Sequence, residues 1–249
     1  MKTCMSSENR EQKKILIMKT GNTIESFLKR GEDFEDWFIA VSGYDSNFFA
    51  VRSMHLYEEL ITPEKLAGLI ITGSPAYITD EAPWNLIGAE YIRKVHKAEI
   101  PILGVCYGHQ LVAWAFKGEV AFNNRGREIG TVRIQKTTAA NDDLLFSALP
   151  QSFNVQVSHQ QSVVKIPDSA IRLAGSDFEP NQAYRLGTKT WGIQFHPEFS
   201  VDIIRAYIKE RREDIQNEGL QPEALLEATA ETLDSANLLN RFCAVALGN

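Results

Sequence analysis

The sequence lacks the features by which secreted, membrane-spanning and nucleic-acid-binding proteins are recognised. Its 249 residues include three scattered cysteines, which are too few for a disulfide framework. No apolar run approaches the length of a membrane span, and the polar leader 1–13 has no apolar centre like that of a secretory signal. The formal net charge is −6, and lysine and arginine are not clustered, which argues against nucleic acid and anionic membrane as partners. A cytoplasmic enzyme is therefore expected.

Two further absences limit the chemistry. No set of cysteines, histidines and acidic residues has the spacing of metal ligands, so no metal is expected. No glycine-rich phosphate loop is present, so no ATP-binding domain and no cofactor are expected.

The first half of the chain alternates the patterns of buried strands and helices. Apolar runs at 15–18, 66–71 and 101–106 predict strands. Apolar side chains at helical spacing predict a helix over 84–97, and a further helix follows the third strand.

The hydrophobic pattern of the sequence changes at about residue 119. From there on, the apolar segments are short and alternate between apolar and polar residues. Strands are predicted at 129–134, 153–157, 171–174, 183–186 and 191–195. Alternating strands and helices followed by strands alone predict an α/β fold. We expect a mostly parallel central sheet flanked by helices, with a smaller antiparallel extension.

The C-terminal part of the sequence has helical patterns. Ser200 is suited to cap a helix, and residues 221–247 form either a pair of helices or one long helix. We expect this end to pack on the main domain, with a surface for a partner as the alternative. The predicted organisation is a leader at 1–13, a main domain at 14–216 and a C-terminal helical appendage at 217–249.

Cys106 lies where a predicted strand ends abruptly in a helix. Gly104 and Gly108 flank it at positions where a side chain would crowd a sharp turn. Such a turn projects the sulfur from the sheet, and the helix N-terminus beside it favours a thiolate and offers amides to an oxyanion. Cys106 is therefore a candidate nucleophile, whereas Cys4 and Cys243 fit the ordinary role of structural cysteines.

His196 and Glu198 follow the last predicted strand and are two residues apart. On an extended segment such residues face the same side, and Pro197 favours that conformation for His196. The carboxylate could then hold one imidazole nitrogen while the other faces the sulfur, as a general base requires.

The other four histidines have different environments in the sequence. His55 and His96 lie among charged residues and are expected at the surface, and His109 is expected to support the start of the helix. His159 lies at a strand end, where it could line the pocket.

The segments Gly-Val-Cys-Tyr-Gly-His-Gln at 104–110 and His-Pro-Glu at 196–198 resemble the two signatures of class I (triad-type) glutamine amidotransferases. Nucleophile, histidine and acid occur in that family's order. The resemblance spans roughly residues 66–200, and it is strongest to the amidotransferase domain of GMP synthetase and its free-standing relatives. It implies a flavodoxin-like fold for the parallel sheet.

The resemblance implies a role for each member of the triad. Cys106 would attack the side-chain amide of glutamine, His196 would carry the proton to departing ammonia, and Glu198 would orient His196. A γ-glutamyl thioester would form and be hydrolysed by water.

The resemblance also implies the remaining site residues. The oxyanion hole would lie at Gly73, Ser74 and Tyr107, with Ser74 where the family has glycine, a replacement that requires a negative φ there. Substrate would be bound by Gln110, Ser158, His159 and Gln160, with Gln160 where the family has glycine.

Three functions are weighed on these grounds. The leading one is hydrolysis of L-glutamine, with ammonia passed to a separate synthetase subunit. The alternative is a stand-alone γ-glutamyl hydrolase or peptidase that acts on γ-glutamyl conjugates, which a pocket open beyond the amide nitrogen would favour. The third is a catalytically silent binding subunit, against which the complete triad argues.

Overall fold

A computed structural model describes residues 12–248 of the chain. The strands within this part are β1 (Lys14–Lys19), β2 (Phe49–Ser53), β3 (Leu66–Ile71), β4 (Ile102–Val105), β5 (Glu119–Phe122), β6 (Glu128–Lys136), β7 (Ser152–His159), β8 (Gln161–Lys165), β9 (Ala170–Gly175), β10 (Ala183–Leu186) and β11 (Thr190–Ile193). The α-helices are α1 (Glu25–Leu28), α2 (Phe34–Ser42), α3 (Pro83–Lys97), α4 (Tyr107–Ala115), α5 (Val201–Glu210), α6 (Arg212–Asn217), α7 (Pro222–Glu227) and α8 (Leu233–Leu247). Short 3₁₀ helices lie at Ser46–Phe48, Met54–Leu56, Pro63–Lys65, Ile78–Asp80 and Thr138–Asp142.

Nine of these strands form one sheet in the order β2-β1-β3-β4-β11-β10-β9-β6-β7. The pairings from β2 to β11 are parallel and those from β11 to β7 are antiparallel. The five parallel strands have the flavodoxin-like order, in which ligands bind outside the carboxyl ends of the strands. The predicted α/β fold, a mostly parallel central sheet with an antiparallel extension, is confirmed, and the extension continues the same sheet.

The sheet register sets the position of the candidate triad. β4 and β11 are parallel neighbours, with Val105 opposite Ile193 at their carboxyl ends. Because both strands end at the same edge of the sheet, Cys106 and His196 emerge there from adjacent strands.

The sheet has hydrophobic core on both faces. Along β1, Ile15 and Ile17 pack towards α2, α5 and α8, whereas Leu16 and Met18 pack towards α3 and α4. All four side chains are fully buried, as expected of an apolar strand with helices on both sides.

The sequence patterns do not predict three of the strands, which are β2, β5 and β8. β2 is an edge strand whose middle residues are half-buried or exposed. β5 pairs with β8 in a separate two-stranded sheet. β8 begins with two polar residues, so its pattern resembles a loop.

The C-terminal segment contains two helices after α6, which is the first of the two predicted arrangements. α8 contacts α2, β3 and β7, and its Leu238 and Phe242 are fully buried. The side-chain oxygen of Ser200 accepts a hydrogen bond from the backbone amide of Ile203, so Ser200 caps α5, as predicted. Within residues 12–248, no helix is both long enough and apolar enough to cross a membrane.

Candidate active site

Cys106 forms the corner between β4 and α4 and has a strained backbone. Its φ is 52° and its ψ is −101°, a conformation that side-chain-bearing residues rarely adopt. A Cβ at Gly104 would lie 2.4 Å from the carbonyl oxygen of Gly108, and a Cβ at Gly108 would lie 2.4 Å from that of Ile71. Both flanking positions therefore require glycine, as the sequence predicts, and the reason is close backbone contact.

His196 is held in place on three sides. Its amide donates to the carbonyl of Gln156 at 2.8 Å, which fixes the backbone against β7. Its Nδ1 lies 2.7 Å from Oε1 of Glu198, and its ring stacks on Phe199 with centroids 4.0 Å apart. Nε2 is thus the nitrogen available to the sulfur.

The contact between His196 and Glu198 is made by a turn. The amide of Phe199 donates back to the carbonyl of His196 at 3.4 Å, so the chain folds after the histidine. The sequence predicts the contact through an extended segment, and the contact is present for this different reason. Glu198 is 1% exposed, and its Oε2 has no hydrogen-bond partner among the described residues.

Cys106 and His196 are electrostatically coupled. Burial acts to raise the pKa of the Cys106 thiol, but the positive charge of His196, its hydrogen bond to the sulfur and the charge of His159 together lower the pKa overall. Burial acts to lower the pKa of His196, but the charges of Glu198 and Cys106 raise it to about 10. These opposite shifts favour the thiolate–imidazolium form of the pair.

The candidate oxyanion donors lie in the loop after β3, at Ser74, and at the start of α4, at Tyr107. The amides of Ser74 and Tyr107 have no hydrogen-bond partner among the described residues, and both residues line a cavity with Cys106. Ser74 does not have a positive φ, so a side chain is tolerated there. A Cβ at Gly73 would lie 3.0 Å from Cε1 of His196, so this glycine makes room for the imidazole.

The four candidate substrate ligands line the same cavity, but their side chains already have partners. The amide nitrogen of Gln110 donates to the carbonyl of Gln161 at 2.9 Å and to Oε1 of Gln194 at 3.1 Å. Ser158 accepts from a guanidinium at 2.7 Å, and its carbonyl oxygen lies 3.9 Å from the sulfur of Cys106.

His159 and Gln160 are also engaged. The Nε2 of His159 lies 2.9 Å from the carboxylate of Glu128, and its Nδ1 lies 3.0 Å from the carbonyl of Gln161. The side chain of Gln160 donates to Glu218 at 2.9 Å and accepts from the hydroxyl of Tyr77. These residues build the cavity wall and hold it rigid.

Two cavities among the described residues meet at Cys106. The first, of about 160 Å³, contains the candidate oxyanion donors. The second, of about 90 Å³, lies on the side of His196. Its wall comprises Asn22, Thr23, Ile24, Phe34, Ser74, Pro75, Cys106, Ser158, His196, Tyr207 and Arg211. Both cavities therefore adjoin the nucleophile, and His196 lines only the second.

Residues 40–210 match the sequence model of the family described as glutamine amidotransferase class-I, which is more than half of the chain. The chain belongs to the class I glutamine amidotransferases.

Two relatives and one solved structure illustrate the range of this family. The amidotransferase is 36% identical over 143 residues to a glutamine-hydrolyzing GMP synthase subunit of Methanocaldococcus jannaschii, across 57% of this chain and 69% of the relative. It is 29% identical over 199 residues to gamma-glutamyl peptidase 4 of Arabidopsis thaliana, across 78% and 79% of the two chains. It superposes on a glutamine amidotransferase of Thermotoga maritima with a TM-score of 0.73 at 21% identity, across 96% and 100%, which shows a shared fold.

The lengths of the relatives differ. The chain spans 29% of the length of GMP synthases of Bacteroides thetaiotaomicron and Porphyromonas gingivalis that it matches.

Arg211 is a residue of this amidotransferase's site that the sequence patterns do not predict. It follows α5, lines both cavities and donates to the hydroxyl of Ser158. In the sequence it is one of two consecutive arginines at the end of a helix, and no pattern distinguishes it from its neighbour. Its position depends on the packing of α5 against β7.

The remaining described histidines and the second described cysteine, Cys243, line neither of these two cavities. His55 and His96 are half-buried, so the expectation that both lie at the surface is wrong in part. Nδ1 of His96 lies 2.8 Å from the hydroxyl of Thr190, which draws the ring inwards.

His109 is fully buried beside Tyr184, and burial lowers its pKa to about 3, so it is neutral. Cys243 is buried and structural.

Cys4 lies outside the described residues. Among residues 12–248, no group of three histidine, cysteine or acidic side chains could hold a metal ion.

Proposed function

We propose that the protein hydrolyses the side-chain amide of L-glutamine through a γ-glutamyl thioester on Cys106, and that the ammonia passes to a separate synthetase subunit. The observation that carries this proposal is the geometry of three residues. A strained corner presents Cys106 beside the imidazole of His196, whose far nitrogen is held 2.7 Å from Glu198. The archaeal relative is named as one subunit of its enzyme, which supports a synthetase on another chain.

The first step is attack of the thiolate on the amide carbon of the substrate. The lowered pKa of Cys106 and the raised pKa of His196 favour transfer of the thiol proton to His196 before the attack. The new S–C bond moves an electron pair onto the amide oxygen. The free amides of Ser74 and Tyr107 are the donors for that oxyanion.

The second step breaks the C–N bond. His196 gives its proton to the leaving nitrogen, which departs as ammonia and leaves the thioester. Neutral His196 then takes a proton from water while that water attacks the thioester carbon. The products are glutamate and the regenerated thiolate–imidazolium pair. Glu198 stabilises the imidazolium in both halves of the cycle.

A second candidate function is the stand-alone hydrolysis of γ-glutamyl conjugates, and the second cavity favours it. The leaving nitrogen receives its proton from His196, so the leaving group departs on that side of the sulfur. The cavity there has room for an amine larger than ammonia. The similarity to a γ-glutamyl peptidase covers 79% of that relative, which supports the same interpretation.

The deciding experiment measures glutamate and ammonia release by the purified protein, with Cys106→Ala as the blank. L-Glutamine is compared with γ-glutamyl peptides at equal concentrations. Slow turnover of glutamine alone supports the leading proposal. Faster turnover of the peptides supports the second candidate. Absence of any turnover that depends on Cys106 contradicts both and leaves a catalytically silent binding protein.

A further inference from the structure

Arg211 has no role in the proposed mechanism, yet it lies between the two cavities that meet at Cys106. A guanidinium nitrogen donates to the hydroxyl of Ser158 at 2.7 Å. The guanidinium carbon lies 4.9 Å from the centre of the Tyr207 ring. Burial raises the pKa of Tyr207, so both partners are neutral at physiological pH.

No carboxylate among the described residues pairs with Arg211, and in this it differs from Arg127, which lines the same cavity, and from its sequence neighbour Arg212. Arg127 donates twice to Glu218, at 2.8 and 2.9 Å, and Arg212 pairs with Glu223. The pKa of Arg211 is lowered, mainly because the guanidinium is partly buried, and the positive charge of Arg127 acts in the same direction. The negative charge of Cys106 acts in the opposite direction, but no carboxylate of the described residues hydrogen-bonds to this half-buried guanidinium, so an anionic ligand would supply the missing partner.

The wall of the first cavity offers complementary charges to an amino acid. Arg211 and Asp214 both line it, and they do not form an ion pair with each other. Asp214 is exposed, so a bound amino acid would place its carboxylate near Arg211 and its amino group near Asp214. The carbonyl of Ser158, the residue to which Arg211 is bonded, lies 3.9 Å from the sulfur, so the guanidinium is held close to the reacting centre.

We propose that Arg211 is a substrate-binding residue that holds a carboxylate of the substrate beside the amide that Cys106 attacks. The inference rests on the proposed function, because it takes a γ-glutamyl compound as the substrate. Every such compound carries an α-carboxylate, and a γ-glutamyl amino acid carries a second carboxylate on its leaving group. A planar guanidinium with several donors suits either carboxylate.

The test compares two pairs of substrates that differ by one carboxylate. The first pair is L-glutamine and L-glutaminamide, in which the α-carboxylate is an amide. The second pair is γ-glutamylglycine and γ-glutamylglycinamide. The ratio of kcat/KM within each pair is measured for the wild type, for Arg211→Gln and for the matched control Arg212→Gln, whose arginine is exposed. Arg211→Lys tests whether charge alone rescues binding.

The wild type is expected to prefer the carboxylate member of at least one pair by about 10- to 100-fold, the usual effect of a charge-assisted hydrogen bond. Arg211→Gln should abolish that preference, chiefly through KM, whereas Arg212→Gln should retain it. Loss of the preference in the first pair assigns the α-carboxylate, and loss in the second pair assigns the leaving group. Unchanged ratios in both pairs overturn the proposal.

A labelling experiment separates failure of this proposal from failure of the proposed function. A chloroketone analogue of glutamine carries an α-carboxylate and alkylates Cys106, whereas iodoacetamide alkylates it without any carboxylate. If Arg211 holds the α-carboxylate, Arg211→Gln should slow the chloroketone about 10-fold or more relative to iodoacetamide. If no substrate is turned over, the proposed function fails. A relative labelling rate unchanged by Arg211→Gln then overturns the α-carboxylate assignment independently.

Discussion

The carboxylate of Glu198 lies 2.7 Å from Nδ1 of His196, and both side chains are almost fully buried. This contact lets a buried imidazole carry a charge. Burial alone would lower the pKa of His196, and the negative charges beside it reverse that effect. The proton that the leaving group needs is therefore already on the histidine before substrate binds.

The first prediction concerns the dependence of kcat/KM on pH. Activity requires a deprotonated Cys106 and a protonated His196, so it should be highest between the two pKa values. It should fall as the pH drops through the pKa of Cys106, which lies below the ordinary value of cysteine, and at alkaline pH near 10, where His196 loses its proton. Because Cys106 and His196 are coupled, the acidic and alkaline limits of the profile are properties of the pair and not of either residue alone. A pH–rate profile over the range from about pH 5 to about pH 11 measures them.

Glu198→Gln should shift the alkaline limit of that profile to lower pH, because the charge that raises the pKa of His196 is removed. The variant should also turn over about 100-fold more slowly or worse, since the amide no longer stabilises the imidazolium. A profile with the wild-type alkaline limit would show that Glu198 does not set the charge of His196. Thermal unfolding of the variant checks that the fold is intact.

The backbone strain at Cys106 gives a prediction about stability. Glycine adopts a φ of 52° without cost, whereas any side chain there is strained by roughly 1–3 kcal/mol. Cys106→Gly should therefore be more stable than Cys106→Ala by about 1 kcal/mol, after allowance for the greater flexibility of glycine in the unfolded chain. Both variants should be inactive. Equal urea midpoints for the two would show that the corner is unstrained.

The sequence predicts the elements that are buried on both sides and misses those that are not. β3 is bounded as predicted, at residues 66–71, because a parallel strand covered by helices is a continuous apolar run. β8 begins with Gln161 and Ser162, which are buried but hydrogen-bonded to other residues. Such partners are a property of the tertiary structure, so no local pattern indicates them.

The same distinction applies to the site. Cys106, His196 and Glu198 lie in short segments whose glycine, proline and spacing predict the geometry, and the structure brings these three side chains together. Arg211 is separated from its neighbour Arg212 only by what surrounds it in the fold. Within residues 12–248 it has no carboxylate partner, and this cannot be read from the sequence, because pairing is decided by segments far apart in the chain.

Gly104→Ala should destabilise the fold more than an ordinary glycine substitution. The new Cβ would lie 2.4 Å from the carbonyl oxygen of Gly108, and rigid backbone cannot move aside. We expect a loss of about 3 kcal/mol in the free energy of unfolding. Gly31→Ala is the control: it has a φ of 74° and no crowding, and should lose about 1 kcal/mol. Urea unfolding of both variants measures the difference, and equal losses would contradict the crowding argument.

Gly73→Ala should impair catalysis with little effect on the fold. Its Cβ would lie 3.0 Å from Cε1 of His196, so the ring must shift by a few tenths of an ångström away from its position beside the sulfur. A displacement near the reacting atoms is expected to lower kcat about 10-fold or more.

The neighbouring Ser74→Ala is the matched control. It retains the backbone amide but loses the hydroxyl that donates to the carbonyl of Thr20 at 2.7 Å. It should cost about 1 kcal/mol of stability and change kcat by no more than a few-fold. Steady-state rates and thermal unfolding of the two variants separate the effects. A Gly73→Ala enzyme as active as the wild type would mean that the imidazole has freedom to move, and that glycine is not needed there for the position of His196.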